Sequence, residues 1–166
     1  HCATIPFTRN IFSPMDFTPM NLSGIPNIQR TTSRAFELAL SVLFHSGVQH
    51  YAETPEGMDA VPAAVREFLY DVPALWADTE FIDGYPGKYV VIAMRSGDTW
   101  FVAGINGEKT DKELELSLPF LDSNQGTLIT DNEKDDSFLI THVSFENGRP
   151  LPFKMKGNGG FVLKSD

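Results

Sequence analysis

Hydrophobic positions along the 166-residue chain follow two rhythms, and the change between them falls near residue 75. Upstream, RAFELALSVLFHS at 34–46 is apolar on nearly every side, which predicts one helix with Ser33 as its N-cap and Gly47 placed to end it. A helix without a polar stripe is packed on two sides inside a larger body. PAAVREFLYD at 62–71 predicts a second helix, with Pro62 at its first position and Pro73 closing it, and Thr54-Pro55-Glu56 marks a further short turn of helix. The opening, HCATIPFTRNIFSPMDFTP at 1–19, reads as strand and loop. With Pro6, Pro14, Pro19 and Pro26, the first 30 residues hold too little regular structure to cover an apolar helix. The chain is therefore expected to be a piece of something longer.

Downstream the period becomes two. YVVIAMR, Ser-Gly-Asp and TWFVAGIN predict a hairpin of apolar, β-branched and aromatic strands. LELSLPFL and SFLITHVSF alternate, GTLITD is short and extended, and GGFVLKSD closes as one more strand. Short strands separated by Gly, Asp and Asn turns indicate an antiparallel sandwich or barrel. The layout is a helical part, residues 1–75, and an all-β module, residues 76–166.

Charge removes some functions. A formal net charge of −9 and a pI near 4.8, with no cluster of Lys and Arg, disfavour nucleic acid and anionic membrane surfaces as partners. No run reaches the length of a membrane span. The single cysteine, Cys2, cannot form an internal disulfide. Asp131, Glu133 and Asp135 in DNEKDDS alternate like calcium-loop ligands, but the glycine at the sixth position is missing and His142 stands where the twelfth-position Glu belongs, so a solvated hairpin turn is expected. His45 and His50 are spaced wrongly for a shared helix face, which leaves capping or packing as their role. Trp76, Trp100, Tyr85 and Tyr89 could form a sugar-stacking platform, although Trp100, in an alternating strand, fits a core position better. No GxSxG, HExxH, phosphate loop or carboxylate pair emerges.

PFTRNIFSPMDFTP resembles the segment at the last barrel strand of glycoside hydrolase family 97, the α-glucosidase and α-galactosidase family of gut Bacteroidetes. FELALSVLFHSGVQHYAETPE, VREFLYDVPALWADTEFIDGYPGKYVVIAMRSGDTWFVAGINGE and the GGFVL ending resemble the same family in the same order. The resemblance implies an α+β fragment: the last strand and helices of a (β/α)8 barrel over residues 1–75, followed by a C-terminal antiparallel, sandwich-like β domain over 76–166. It implies hydrolysis of α-glucosidic or α-galactosidic bonds of an oligosaccharide, assisted by calcium, in a periplasmic or secreted parent. The catalytic carboxylates and calcium ligands would lie upstream of His1, so this chain alone would be inactive. Arg9 and Asp16, the polar residues of the matching motif, are the candidates for supporting the active site or binding substrate, with His1 beside the calcium site; an Arg9–Asp16 pair of purely structural role is the alternative. The β domain would buttress the barrel, and helices stripped of their barrel partners would allow self-association. A free-standing carbohydrate-binding or interaction module is the competing reading of the whole chain.

Overall fold

A computed structural model describes residues 1–18, 21–23, 29–146 and 148–166; Pro19 and Pro26 lie outside the described residues. Its centre is the hairpin of β2 (Tyr89–Ser96) and β3 (Thr99–Asn106), turned at Gly97 with φ 58°. Both strands are apolar along nearly their whole length because both faces of the sheet are covered. Val90, Ile92 and Met94 of β2, with Phe101, Ala103 and Ile105 of β3, join the core on one face, while Val91, Ala93, Trp100 and Val102 join the core on the other.

Six antiparallel strands make the main sheet in the order β1 (Asp78–Tyr85), β2, β3, β8 (Gly160–Ser165), β5 (Gln125–Asp131), β6 (Phe138–Ser144). The last strand of the chain thus sits in the middle of the sheet. A two-stranded sheet of β4 (Lys112–Leu116) and β7 (Leu151–Met155) contributes Leu116, Phe153 and Met155 to the core on the second face.

Helices cover the first face. The helix α2 (Arg34–Leu43) has eight of its ten residues buried, begins at Ser33, whose Oγ accepts from Phe36 N at 3.0 Å, and lies across β3, β8 and β5. It ends at Leu43, earlier than the apolar run suggests, and His45 already belongs to the following loop. The helix α3 (Pro55–Ala60) is capped by Thr54, and α4 (Ala63–Asp71) follows Pro62 as its N-cap. Val65, Phe68 and Leu69 of α4 enter the same core as α2, with Phe68 edge-on to Phe101. This core therefore joins residues on both sides of position 75.

Three sequence expectations change. The opening is not a strand: Cys2–Phe7 forms a 3-10 helix with Pro6 inside it, and α1 (Arg9–Phe12) is a single helical turn. Among the described residues no strand pairs with Cys2–Phe7, so its backbone groups close mainly on themselves, as in Thr4 N to His1 O at 2.9 Å and Thr8 N to Ile5 O at 3.0 Å, while Ala3 O accepts from Gly87 N at 3.2 Å in the turn between β1 and β2. The strand β1 was hidden because DTEFIDGY is mostly exposed and carries a bulge between Phe81 and Asp83. The strand β7 was hidden by Pro152, which a two-stranded sheet tolerates because each of its strands is an edge.

Candidate functional site

The opening segment folds back onto the end of α2. The His45 carbonyl accepts from Met15 N at 3.0 Å and Asn10 Nδ2 at 3.3 Å, and Phe17 stacks edge-on to Phe44 at 4.6 Å. Between this segment and the β1 side of the sheet lies an open apolar cavity of about 520 Å³, walled by Phe7, Ile11, Leu43, Phe81, Ile92 and Met94. Phe12, Ile11 and Phe81 are exposed at 85%, 66% and 56%, large apolar side chains left uncovered on this side of the molecule.

Of the residues singled out from sequence, His1 caps the 3-10 helix through its carbonyl and is exposed. Arg9 donates to Ser13 Oγ at 2.7 Å and Ser13 O at 3.3 Å. Among the described residues no ion pair joins Arg9 to Asp16, which is exposed, so the motif's two charged residues are not brought together.

The strongly engaged carboxylates are two others. Glu53 gathers the backbone N–H groups of Leu22 and Ser23, each at 2.8 Å on Oε2, with Thr54 N at 3.0 Å and the Ser23 hydroxyl on Oε1. Desolvation pushes its carboxyl up, but these hydrogen bonds outweigh it and hold the group below the usual glutamate range. Asp131, at the end of β5, accepts from Ser33 Oγ at 2.6 Å, Ala35 N at 3.1 Å and Gly160 N at 3.2 Å. Burial pushes its carboxyl above the usual aspartate range, against the pull of those hydrogen bonds and of Lys156. Asp131 thus ties the start of α2 to β5 and β8, and Glu53 ties residues 22–23 to the start of α3. Among the described residues the partners of both carboxylates are backbone N–H groups and hydroxyls, and both spend their lone pairs on the fold. Sequence reading missed Glu53, whose partners lie about 30 residues away in a proline-rich segment; the capped Thr54-Pro55 turn beside it was its only local signal.

The acidic turn was expected to be a solvated hairpin turn, and its side chains are divided among different partners. Glu133 pairs with Lys154 at 2.6 Å, Asp135 accepts from Ser137 N at 2.9 Å, and Asp131 turns inward. Among the described residues no group of three or more His, Cys, Asp or Glu side chains converges on one point, so these residues do not fit a calcium ion. The aromatics are also dispersed. Trp100 is only 6% exposed and packs against Phe120 at 4.4 Å, and Trp76 packs edge-on to Phe101 at 5.3 Å. Tyr85 and Tyr89 each lie beneath a lysine, Lys88 and Lys112, and the Tyr89 hydroxyl donates to Asp83 at 3.0 Å. A stacking platform built on Trp100 is therefore not available.

The geometry describes one core shared by the helices and the main sheet, with large apolar side chains uncovered at Ile11, Phe12 and Phe81. Residues 75–165 match the family model described as glycosyl-hydrolase 97 C-terminal, oligomerisation. The chain belongs to the glycosyl-hydrolase 97 family. Its family-97 relatives extend the match beyond the β strands. A protein of Streptomyces bingchenggensis described as a "Probable retaining alpha-galactosidase" is 38% identical over 98% of this chain, but over 25% of its own length. The retaining alpha-galactosidase of Bacteroides thetaiotaomicron is 30% identical over 96% of this chain and 26% of its own. The crystal structure of a beta-arabinopyranosidase superimposes with a TM-score of 0.91 at 32% identity, covering 99% of this chain and 27% of that one. A family 97 enzyme of Pseudoalteromonas sp. strain K8, in complex with panose, gives 0.86 at 26% identity, covering 100% and 28%. The chain spans about a quarter of the length of the curated relatives it matches.

Proposed function

We propose that this chain is the C-terminal part of a longer family 97 glycoside hydrolase and supports the catalytic barrel without performing the chemistry itself. The observation that carries the reading is the match to alpha-galactosidases over 98% and 96% of this chain but only a quarter of theirs. In this reading residues 1–75 are the end of the (β/α)8 barrel, residues 76–166 are the C-terminal β domain, and the two share one core because α2 and α4 pack on the sheet. The uncovered area around Phe12, Ile11 and Phe81 is where the rest of the barrel would sit. His1, Arg9 and Asp16 then belong to the loop side of the barrel, with Arg9 holding the turn at Ser13 in shape. Calcium would be held by residues outside these 166, and periplasmic or secreted localisation is inherited from the resemblance to the family. The parent's substrate class is an oligosaccharide with a terminal α-galactosyl unit, after the names of the two curated relatives, in preference to an α-glucosyl one.

The β domain would also carry self-association, in line with the oligomerisation description of the family model over 75–165. The supporting role is tested by assaying the purified 166-residue chain on p-nitrophenyl α-galactoside and α-glucoside. No release of p-nitrophenol is expected, and steady hydrolysis would overturn the reading. In the full enzyme, deleting residues 76–166 is expected to lower thermal stability while leaving the ratio of activities on the two substrates unchanged.

A further inference from the structure

Among the described residues, the strand edges left without a partner are unlike one another. The edge strand β1 carries Asp78, Glu80 and Asp83 and is broken by its bulge. In the small sheet, β4 carries Lys112, Glu113 and Glu115, and β7 carries Pro152 and Lys154. Charges, prolines and bulges are the devices that keep an edge from pairing with another chain. The other edge of the main sheet, β6, has none of them. FLITHVS contains no carboxylate, Lys, Pro or Gly, and its register against β5 runs unbroken from Asp131 opposite Phe138 to Gln125 opposite Ser144. Residues 139–142 are exposed, including Leu139 at 47% and Ile140 at 38%.

The direction of its backbone groups follows from the two hydrogen bonds that bracket the ladder. Phe145 N donates to Asn124 O and Asn132 N donates to Ser137 O, both at 2.9 Å. Alternation between these two points assigns the odd-numbered residues of β6 to β5 and turns the N–H and C=O groups of Phe138, Ile140, His142 and Ser144 outward.

We propose that β6 pairs with β6 of a second copy of this chain, antiparallel, about a two-fold axis through Thr141. The proposal rests on the self-association reading above and gives it a location. In this register Thr141 meets its own copy, Ile140 meets His142, and Phe138 meets Ser144. Every outward N–H and C=O of the strand then finds a partner, and the two main sheets become one. Because partners share parity, each side chain stays on its own face, and Leu139 meets Val143 on the β4–β7 side. A two-fold contact places one surface against itself, so a chain of net charge −9 favours an edge whose own residues carry no carboxylate; β6 is such an edge, and its His142 lies 3.6 Å from the Asp166 carboxylate of its own chain.

The test is the oligomeric state of the 166-residue chain by light scattering and sedimentation across about a hundredfold dilution. A dimer is expected. Thr141→Asp sets two carboxylates face to face on the axis and is expected to raise the dissociation constant at least about 100-fold. Ile140→Pro removes an N–H that β5 does not use and is expected to give a monomer with an unchanged far-ultraviolet spectrum. Thr79→Asp on the β1 edge should leave the dimer intact. A dimer that survives both β6 substitutions overturns the pairing while leaving self-association standing; a wild-type chain that is monomeric throughout overturns both. Should either β6 substitution disturb the fold, oxidation of a Thr141→Cys, Cys2→Ser chain decides. A disulfide-linked dimer supports the seam, and failure to cross-link rules it out.

Discussion

Asp131 is one of the points at which the helical and β parts of this chain are fastened together, and Asp131→Asn isolates what that fastening is worth. The carboxylate accepts on both oxygens: Oδ2 from Ser33 Oγ and Gly160 N, Oδ1 from Ala35 N. An amide of the same shape has one acceptor. Its best orientation keeps the oxygen toward Ser33 and Gly160 and points its NH₂ at Ala35 N, leaving a part-buried backbone donor unpaired at a cost of about 1–3 kcal/mol. The two retained bonds lose their charge assistance, roughly another 1 kcal/mol. Against this, the burial that raises the carboxyl's pKa means the ion is itself costly to hold, which returns part of the loss. The balance is a destabilisation of about 2 kcal/mol, or about 4–8 °C in Tm for a domain of this size. Thermal unfolding followed by circular dichroism at pH 7 measures it. The pH dependence carries the opposite sign from a salt-bridged carboxylate. A folded-state pKa raised above 3.8 favours the native state fully only below the unfolded value, and that contribution is lost as pH rises through the folded value. The stability gap between wild type and Asp131→Asn should therefore widen toward acid. A variant as stable as wild type at neutral pH would refute the reasoning, because desolvation, not hydrogen bonding, would then govern the site.

Glu53 should behave the other way. With its carboxyl held below 4.5, its stabilisation is present above the unfolded value and is lost as pH falls through the folded one, so Glu53→Gln should lower Tm at pH 7 and converge with wild type in acid titrations of stability. Gly160→Ala would place a Cβ at 2.8 Å from Gly104 O and 2.9 Å from Phe36 Cα, both backbone atoms, and should cost about 3 kcal/mol in chemical denaturation as α2 is forced off the sheet. Ser33→Ala removes the α2 cap together with one of Asp131's partners and should cost about 1–2 kcal/mol in the same assay. In a double-mutant cycle with Asp131→Asn the Ser33→Ala loss should be less than additive, since the two side chains share a hydrogen bond.

The parts of the fold legible in the sequence are those whose environment is uniform over several residues. The helix α2 is buried all round and β2 and β3 are buried on both faces, so their runs of apolar residues announce themselves. The elements that stayed hidden depend on one neighbour. The strand β1 is held by β2 on one side only, and β7 by β4 alone, so acids and a proline are tolerated where a central strand would reject them. The same distinction applies to function. Motif rules find groups that are close in sequence, whereas Asp131 reaches back 98 residues to Ser33 and Glu53 reaches back 30 to Ser23. DNEKDDS invited reading as a set of ligands because its acids are adjacent, yet in space its most buried member points at α2 and the others at separate partners.

That division bears on how the two parts of the chain depend on each other. Gly160 and Phe161, near the C-terminus, enter the middle of the sheet between β3 and β5, and Gly160 lies directly under the start of α2. Closing the β domain therefore requires α2 to be in place, because the face it covers includes Ile105, Ile129 and Val162, each fully buried. Without the helix those side chains would be exposed together, at about 1.5–3 kcal/mol for each large one. A fragment beginning at residue 76 would lose that cover and the two partners that Ser33 and Ala35 supply to Asp131, leaving a buried charge short of donors. The β domain is thus completed by α2, whose burial on the sheet is what closes the core over Ile105, Ile129 and Val162.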